Sequence, residues 1–305
     1  MDLVTPGYKT AAAVARALPH RVAANAARVL GRLAGHLATE RRAQVERNLR
    51  RVDPTLSGAR LRRLVDETFE SYARYYEESF RLPGTSPADL DAGFRADGFE
   101  HLDAAMVAGR GAIMAMPHLG GWEWSGFWVT RVKGYPVTAV VEELEPRDLF
   151  EWFVDLRRSF GFEVVALGPN AGPATVRALR ANHVLALLCD RDLTGTGPEV
   201  EFFGERTTLP GGPATLALRS GAPILPTAVY FDGPSCRRAA VMPPLDATRQ
   251  GKLRDDVQRV TQDLAHALED LIRRAPEQWH LLQPNWPSDR DPRRSPSASS
   301  SELEG

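Results

Sequence analysis

Cysteine is scarce in this chain: Cys189 and Cys236 are the only two among 305 residues. Two thiols and no Cys/His ligand spacing exclude a disulfide framework and a zinc site, so no metal is expected, and they fit a reducing compartment. Long apolar runs are missing as well. Nothing in the chain reaches the roughly 18 consecutive apolar residues of a spanning helix. The start Met1-Asp2-Leu3-Val4 lacks the basic-then-apolar form of a signal peptide, so no leader is expected. Charge of one sign is absent too. A formal net charge of -1 points to no polyanionic partner, and nucleic acid is not expected. Three motif classes are missing. No Gly-x-Ser-x-Gly elbow is present, which counts against a serine thioesterase or lipase. No Gly-Lys-Ser/Thr phosphate loop and no Gly-x-Gly-x-x-Gly after a strand remove the usual nucleotide-binding readings.

What is present divides the chain in three. Residues 1–96 read as helical and basic in front. Ten Lys/Arg stand against three acids up to Val52, and Val22, Ala26, Val29, Leu33 and Leu37 recur at helical spacing beside Arg21, Arg28 and Arg32. Such a helix either lies in a membrane interface or packs on the protein with a solvated arginine face. Asp53-Pro54 breaks the pattern, and Leu61–Arg81 is a further helix carrying Phe69, Tyr72, Tyr75 and Tyr76. Residues 97–287 alternate strand and helix. Expected strands are Ala112–Met116, Val137–Val141, Glu163–Ala166, Val184–Leu188, Val200–Phe203, Ile224–Phe231 and Arg238–Met242. Expected helices are His101–Ala108, Gly121–Val132, Pro146–Phe160, Pro173–Ala181, Gly212–Ser220 and Leu253–Arg274. That alternation predicts an α/β fold with a mainly parallel central sheet flanked by helices. The Ser/Pro/Arg-rich tail, 288–305, is expected to be disordered.

The chemistry concentrates where Ala112–Met116 runs into Pro117-His118-Leu119-Gly120-Gly121-Trp122-Glu123-Trp124. Open α/β sheets place ligands beyond the carboxyl ends of their strands. His118 stands at such an end and suits a general base that removes a hydroxyl proton. Glu123, in the first helical turn, can orient the ring, or merely favour the helix dipole. Gly120 and Gly121 clear side chains beside the histidine, and free N–H groups there suit an oxyanion. Trp122, Trp124 and Trp128 either wall an acyl or acceptor pocket or fill core. After the strand Val184–Leu188 comes Cys189-Asp190-Arg191-Asp192. Either aspartate can bond the imidazole, and Arg191 can neutralise an acid or bind phosphate. Leu209–Thr215, with two glycines opening a helix, suits an anion weakly.

Pro-His-Leu-Gly-Gly-Trp-Glu resembles the His-x4-Asp/Glu motif of the bacterial lipid A acyltransferase-like family, itself akin to glycerolipid acyltransferases. Cys189–Leu193, Glu201–Glu205, Gly212–Ala214, Gly221–Pro226 and Trp279–Trp286 add to the likeness, which runs from about Ala11 to Pro287. It is nearest the actinobacterial phosphatidylinositol mannoside acyltransferases. The resemblance implies an acyl-CoA co-substrate, palmitoyl-CoA being the expected one, and no permanently bound cofactor. It implies a glycolipid acceptor acylated on a mannose 6-hydroxyl, and a monomer lying peripherally on the cytoplasmic face of the membrane through its helical front. By motif match His118 is the catalytic histidine and Glu123 the motif's acid. A second, downstream acid is expected to pair with the histidine: Asp192 first, with Asp190 and Glu201 behind it. Arg157 or Arg158 then partners Glu123. Acylation of another lysophospholipid or glycolipid, or lipid binding without catalysis, are the competing readings.

Overall fold

The structure, a computed structural model, describes residues 4–290. Five helices open the chain: α1 (Val4–Ala17), α2 (His20–Leu37), α3 (Thr39–Val52), α4 (Gly58–Arg81) and α5 (Pro87–Ala92). Then follow β1 (Phe94–Asp97), α6 (Phe99–Val107), β2 (Ala112–Met116), α7 (Trp122–Arg131), β3 (Val137–Val141), α8 (Arg147–Ser159), β4 (Glu163–Ala166), α9 (Ala171–Arg180) and β5 (Val184–Leu188). A hairpin, β6 (Glu199–Phe202) and β7 (Glu205–Thr208), precedes α10 (Gly212–Ser220), β8 (Ile224–Asp232), β9 (Cys236–Val241) and α11 (Leu253–Arg273).

Seven strands form one sheet in the order β1-β9-β8-β2-β5-β3-β4. Every neighbouring pair is parallel except β8 with β9. The unbroken apolar run of β2 follows from burial on both faces. Ala112, Met114 and Met116 pack into the layer holding α6, α7 and α8, while Ile113 and Ala115 pack into the layer holding α9, α10 and α11. The expected α/β sheet is therefore present, with two differences. The strand expected at Val200–Phe203 lies outside the main sheet, paired antiparallel with β7 across a turn in which Phe203 and Gly204 take positive φ. The strand β1 was not expected: its sequence Phe-Arg-Ala-Asp is short and half polar, as suits a sheet edge.

The helical front is not a separate body. The β1 strand spans the anticipated boundary at residue 96 and joins the sheet beside β9. Arg237 of β9 meets Glu78 of α4 at 2.6 Å with both side chains buried. Helix α2 lies along α4 by a close approach. A Cβ on Gly35 would sit 2.6 Å from the Phe69 ring, and one on Gly31 equally near the Phe69 carbonyl oxygen. The glycines thus face inward and the apolar stripe outward, leaving Leu30 63% and Leu33 55% exposed beside Val22, Val29 and Leu37. Arg28 and Arg32 turn to Glu70 on α4. Helix α2 is thus packed on α4 with its arginines largely solvated, and its apolar stripe faces outward as well.

At the other end, Asp289 is buried against Arg51, which also stacks over Trp286. The expected tail is therefore ordered at its first residues, and 291–305 lie outside the described residues.

Candidate active site

Strand register builds the centre of the site. In the parallel pair β2 and β5, Met116 stands opposite Leu188. Two residues further on, His118 stands beside Asp190. His118 Nδ1 lies 2.6 Å from Asp190 Oδ1, and the His118 backbone N–H donates to Oδ2 at 3.0 Å. Oδ2 also accepts from the Trp279 indole at 2.7 Å, and the Asp190 carbonyl accepts from Asn285. Asp190 is fully buried, which alone disfavours its charge; the His118 ring and these donors outweigh burial and hold its carboxyl below the ordinary range. A carboxylate on Nδ1 fixes the neutral imidazole with its proton there. That leaves Nε2 as the lone-pair nitrogen. Nε2 has no hydrogen-bond partner among the described residues, and the side chain is 31% exposed to the cleft.

The chain around His118 is pinned. Gly120 has φ 58°, and a Cβ there would come 1.9 Å from the Val229 carbonyl oxygen. Its N–H donates to Gln278 O and that of Gly121 to Val229 O. The His118 carbonyl accepts from His280 N–H at 2.7 Å. The two glycines therefore serve backbone packing, not substrate access, and their N–H groups are engaged. The first-turn N–H groups of Trp122 and Glu123, one step along the chain, have no acceptor among the described residues.

Glu123 does not touch His118. Its carboxylate takes Arg157 Nη2 at 2.5 Å, Arg157 Nε at 3.0 Å and the Tyr75 hydroxyl at 3.2 Å. Burial first, then the Glu123 charge, push the Tyr75 phenol far above its usual value, so it stays protonated and donates. The Oε2 atom of Glu123 is buried without a partner among the described residues. Arg158, the other expected partner, is exposed and pairs with Asp155.

Asp192, expected beside the histidine, instead folds the loop after β5. Its oxygens accept from the backbone N–H groups of Thr194 and Gly197. Arg191 pairs with Glu142 at 2.6 Å on the cleft wall. The Glu201 side chain is exposed on β6, outside the cleft lining. Trp122 lines the cleft and stacks on Tyr75. Trp124 and Trp128 do not: Trp124 packs under the Arg237 guanidinium and Trp128 bonds Asp91, so they are core.

Sequence reasoning missed His280 and Ser71. His280 is buried beside His118, and its Nε2 lies 2.8 Å from Ser71 Oγ. Burial and then the neighbouring His118 pull its pKa down to about 3 against the Asp190 charge, so it is neutral at pH 7. The signal was the Trp279-His280 pair: the Trp279 indole holds Asp190, and His280 lines the cleft. Burial pushes the Cys189 thiol far up, which leaves it inert as a nucleophile. Among the described residues, no group of three or more His, Cys, Asp or Glu is arranged to hold a metal ion.

These groups open into a cleft of about 1830 Å³. Tyr72, Tyr76 and Trp122 form one wall, and Met116, Ala139 and Leu188 at the strand ends form an apolar floor. An imidazole with a carboxylate behind it and its unbonded nitrogen at the cleft can remove a proton from a hydroxyl held there.

The family model for bacterial lipid A biosynthesis acyltransferase matches residues 8–288. The phosphatidylinositol mannoside acyltransferase of Mycobacterium tuberculosis (strain ATCC 25618 / H37Rv) is 41% identical over 251 residues, covering 81% of this chain and 77% of the relative. The protein of that name from Mycolicibacterium smegmatis is 40% identical over 249 residues, covering 81% of this chain and 80% of its own. The lipid A biosynthesis acyltransferase of Haemophilus influenzae is 24% identical over 258 residues, covering 82% of this chain and 77% of its own.

Proposed function

We propose, because this chain belongs to the bacterial lipid A biosynthesis acyltransferase family, that it moves a fatty acyl group from acyl-CoA to a mannose 6-hydroxyl of a phosphatidylinositol mannoside. The observation that carries the chemistry is the 2.6 Å contact between His118 and Asp190 at the cleft. His118 Nε2 takes the hydroxyl proton as the oxygen attacks the thioester carbonyl. Asp190 holds the ring in the required tautomer and stabilises the imidazolium. The tetrahedral oxyanion is met by the N–H groups at the start of α7. It collapses with loss of CoA thiolate, which recovers the proton from His118. No acyl-enzyme forms, consistent with the buried, inert Cys189. The acceptor class rests on the mycobacterial relatives' name, and the acyl-CoA donor on the family resemblance.

The acceptor is a membrane lipid, and the exposed stripe of α2 suits the bilayer surface at which it resides. Val29, Leu30, Leu33 and Leu37 point outward on a helix carrying Arg21, Arg28 and Arg32. Apolar burial and attraction to anionic lipid then add. The chain works as a monomer lying on the cytoplasmic face in this reading. No described helix is long and apolar enough to cross a membrane.

The test is transfer from palmitoyl-CoA to phosphatidylinositol mannoside in vesicles, with mass spectrometry of the product. An acylated mannose is the expected result. A product lacking mannose sinks the acceptor assignment, and free fatty acid released without acceptor sinks the transferase.

A further inference from the structure

The cleft extends well beyond the two histidines. It continues between α9 and α10, past Thr175, Val176 and Leu216, to Arg177 and Arg180 on α9 and Arg219 on α10. The two helices pack on each other. Each leads into a strand parallel to β2, namely β5 and β8. Both helices therefore begin at the end of the sheet where His118 stands and finish at the opposite end. The three arginines lie in the last turns, so the groove between catalytic histidine and arginine rim has about the length of α9, ten residues or ~15 Å.

Two of the other arginines that line the cleft are held by carboxylates, while Arg254, in the first turn of α11, is exposed and without a partner among the described residues, as these three are. Arg157 is held by Glu123 and Arg191 by Glu142. Arg177, Arg180 and Arg219 are exposed, and their guanidinium groups have no ion pair or hydrogen bond among the described residues. The carboxylates lining the same cleft are Glu142, Asp192 and Glu199. The first is paired with Arg191 and the second with loop N–H groups. Adjacent unpaired charges of one sign repel, and a multiply charged anion relieves that repulsion. The α9 and α10 residues that line the cleft between rim and histidine, Thr175, Val176, Pro213, Thr215 and Leu216, are apolar or hydroxylic, so they accept a neutral arm.

We propose that Arg177, Arg180 and Arg219 bind the phosphates at the adenosine end of acyl-CoA, with the pantetheine arm lying between α9 and α10 to deliver the thioester to His118. This rests on the acyl-CoA reading above. The donor is charged at one end, neutral along its arm and apolar beyond the thioester, and the groove repeats that order. Guanidinium forks suit phosphate oxygens better than a point charge does.

The experiment uses the full chain and the triple variant Arg177→Ala/Arg180→Ala/Arg219→Ala. Calorimetry measures binding of adenosine 3′,5′-bisphosphate, and kinetics compare palmitoyl-CoA with S-palmitoyl-pantetheine, which lacks the phosphates. The variant is expected to lose about tenfold or more in affinity for the bisphosphate, and to raise KM for palmitoyl-CoA by a similar factor. Its kcat, and its KM for the pantetheine thioester, stay at the wild-type value. Lysine at the three positions recovers part of the loss. An unchanged KM for palmitoyl-CoA overturns the proposal. So does an equal loss with both thioesters, or a loss confined to an acyl-carrier-protein donor. If no thioester is a donor but the bisphosphate still binds through these arginines, the acyl-CoA reading falls and the phosphate site stands.

Discussion

His118 Nδ1 meets Asp190 Oδ1 at 2.6 Å although 72 positions separate the two in sequence. The parallel register of β2 and β5 makes the contact, and Trp279 and Asn285 hold the aspartate from the far end of the chain. The contact separates two aspartates that are nearly adjacent in sequence. Asp190→Asn keeps the shape but presents the wrong hydrogen-bond pattern to Nδ1, so kcat should fall by about 10²–10⁴, as it should for His118→Ala. Asp192→Ala should leave kcat within a few-fold, since Asp192 caps a loop. Steady-state transfer rates on the three variants decide it. Equal losses at Asp190 and Asp192 would contradict the dyad.

The buried pair Glu123–Arg157 makes a second prediction. Both side chains are almost inaccessible, so truncating one leaves the other charged and unpaired. Glu123→Ala or Arg157→Ala should each cost about 3–5 kcal/mol of stability, while the double change to Gln and Met recovers much of it. Urea melts of the four proteins give the coupling. If the Gln/Met double variant lost as much as both single losses added, the pair would not act as a unit.

The sequence made the histidine visible and hid its partner. An apolar strand ending in Pro-His marks a site by local pattern. Spacing then favours Glu123, five residues on, because register between distant strands leaves no local trace. Asp190 and Asp192 are told apart only once Met116 is seen opposite Leu188. The sheet was legible for the same reason as the histidine: runs such as Ile113-Met114-Ala115 fit double burial. The edge strand β1, polar at Arg95 and Asp97, did not fit that pattern and was missed. Periodicity found the stripe on α2 without saying which way it faces. Gly31 and Gly35 held the answer, since only they allow the approach to Phe69.

His280 predicts a pH dependence. Its folded pKa, about 3, lies below the ordinary 6.5, so the unfolded chain takes up a proton first as pH falls. The stability it contributes is fully present above pH 6.5 and is lost progressively as pH drops toward 3. Between pH 7 and 5 the loss from this group is about 2 kcal/mol. In urea melts, the stability lost between pH 7 and 5 should be about 2 kcal/mol smaller in His280→Gln than in wild type. An identical pH difference in the variant would remove His280 as its source.

The last prediction separates membrane contact from folding on one helix. Leu30 and Leu33 are 63% and 55% exposed, so aspartate there removes little buried area and the melting temperature should hold to within a degree or two. Gly35→Leu, one turn away on the inward face, forces a side chain into the Phe69 ring and should destabilise by about 1–3 kcal/mol or more. Vesicle sedimentation should reverse the order. Leu30→Asp/Leu33→Asp should lose most binding to anionic vesicles, because it puts two charges on the surface that enters the interface. Activity on a short-chain, micellar acceptor should survive in that variant while activity on vesicle-borne acceptor falls. Equal activity on both acceptor forms, with vesicle binding intact, would mean that α2 faces solvent and that another surface meets the lipid.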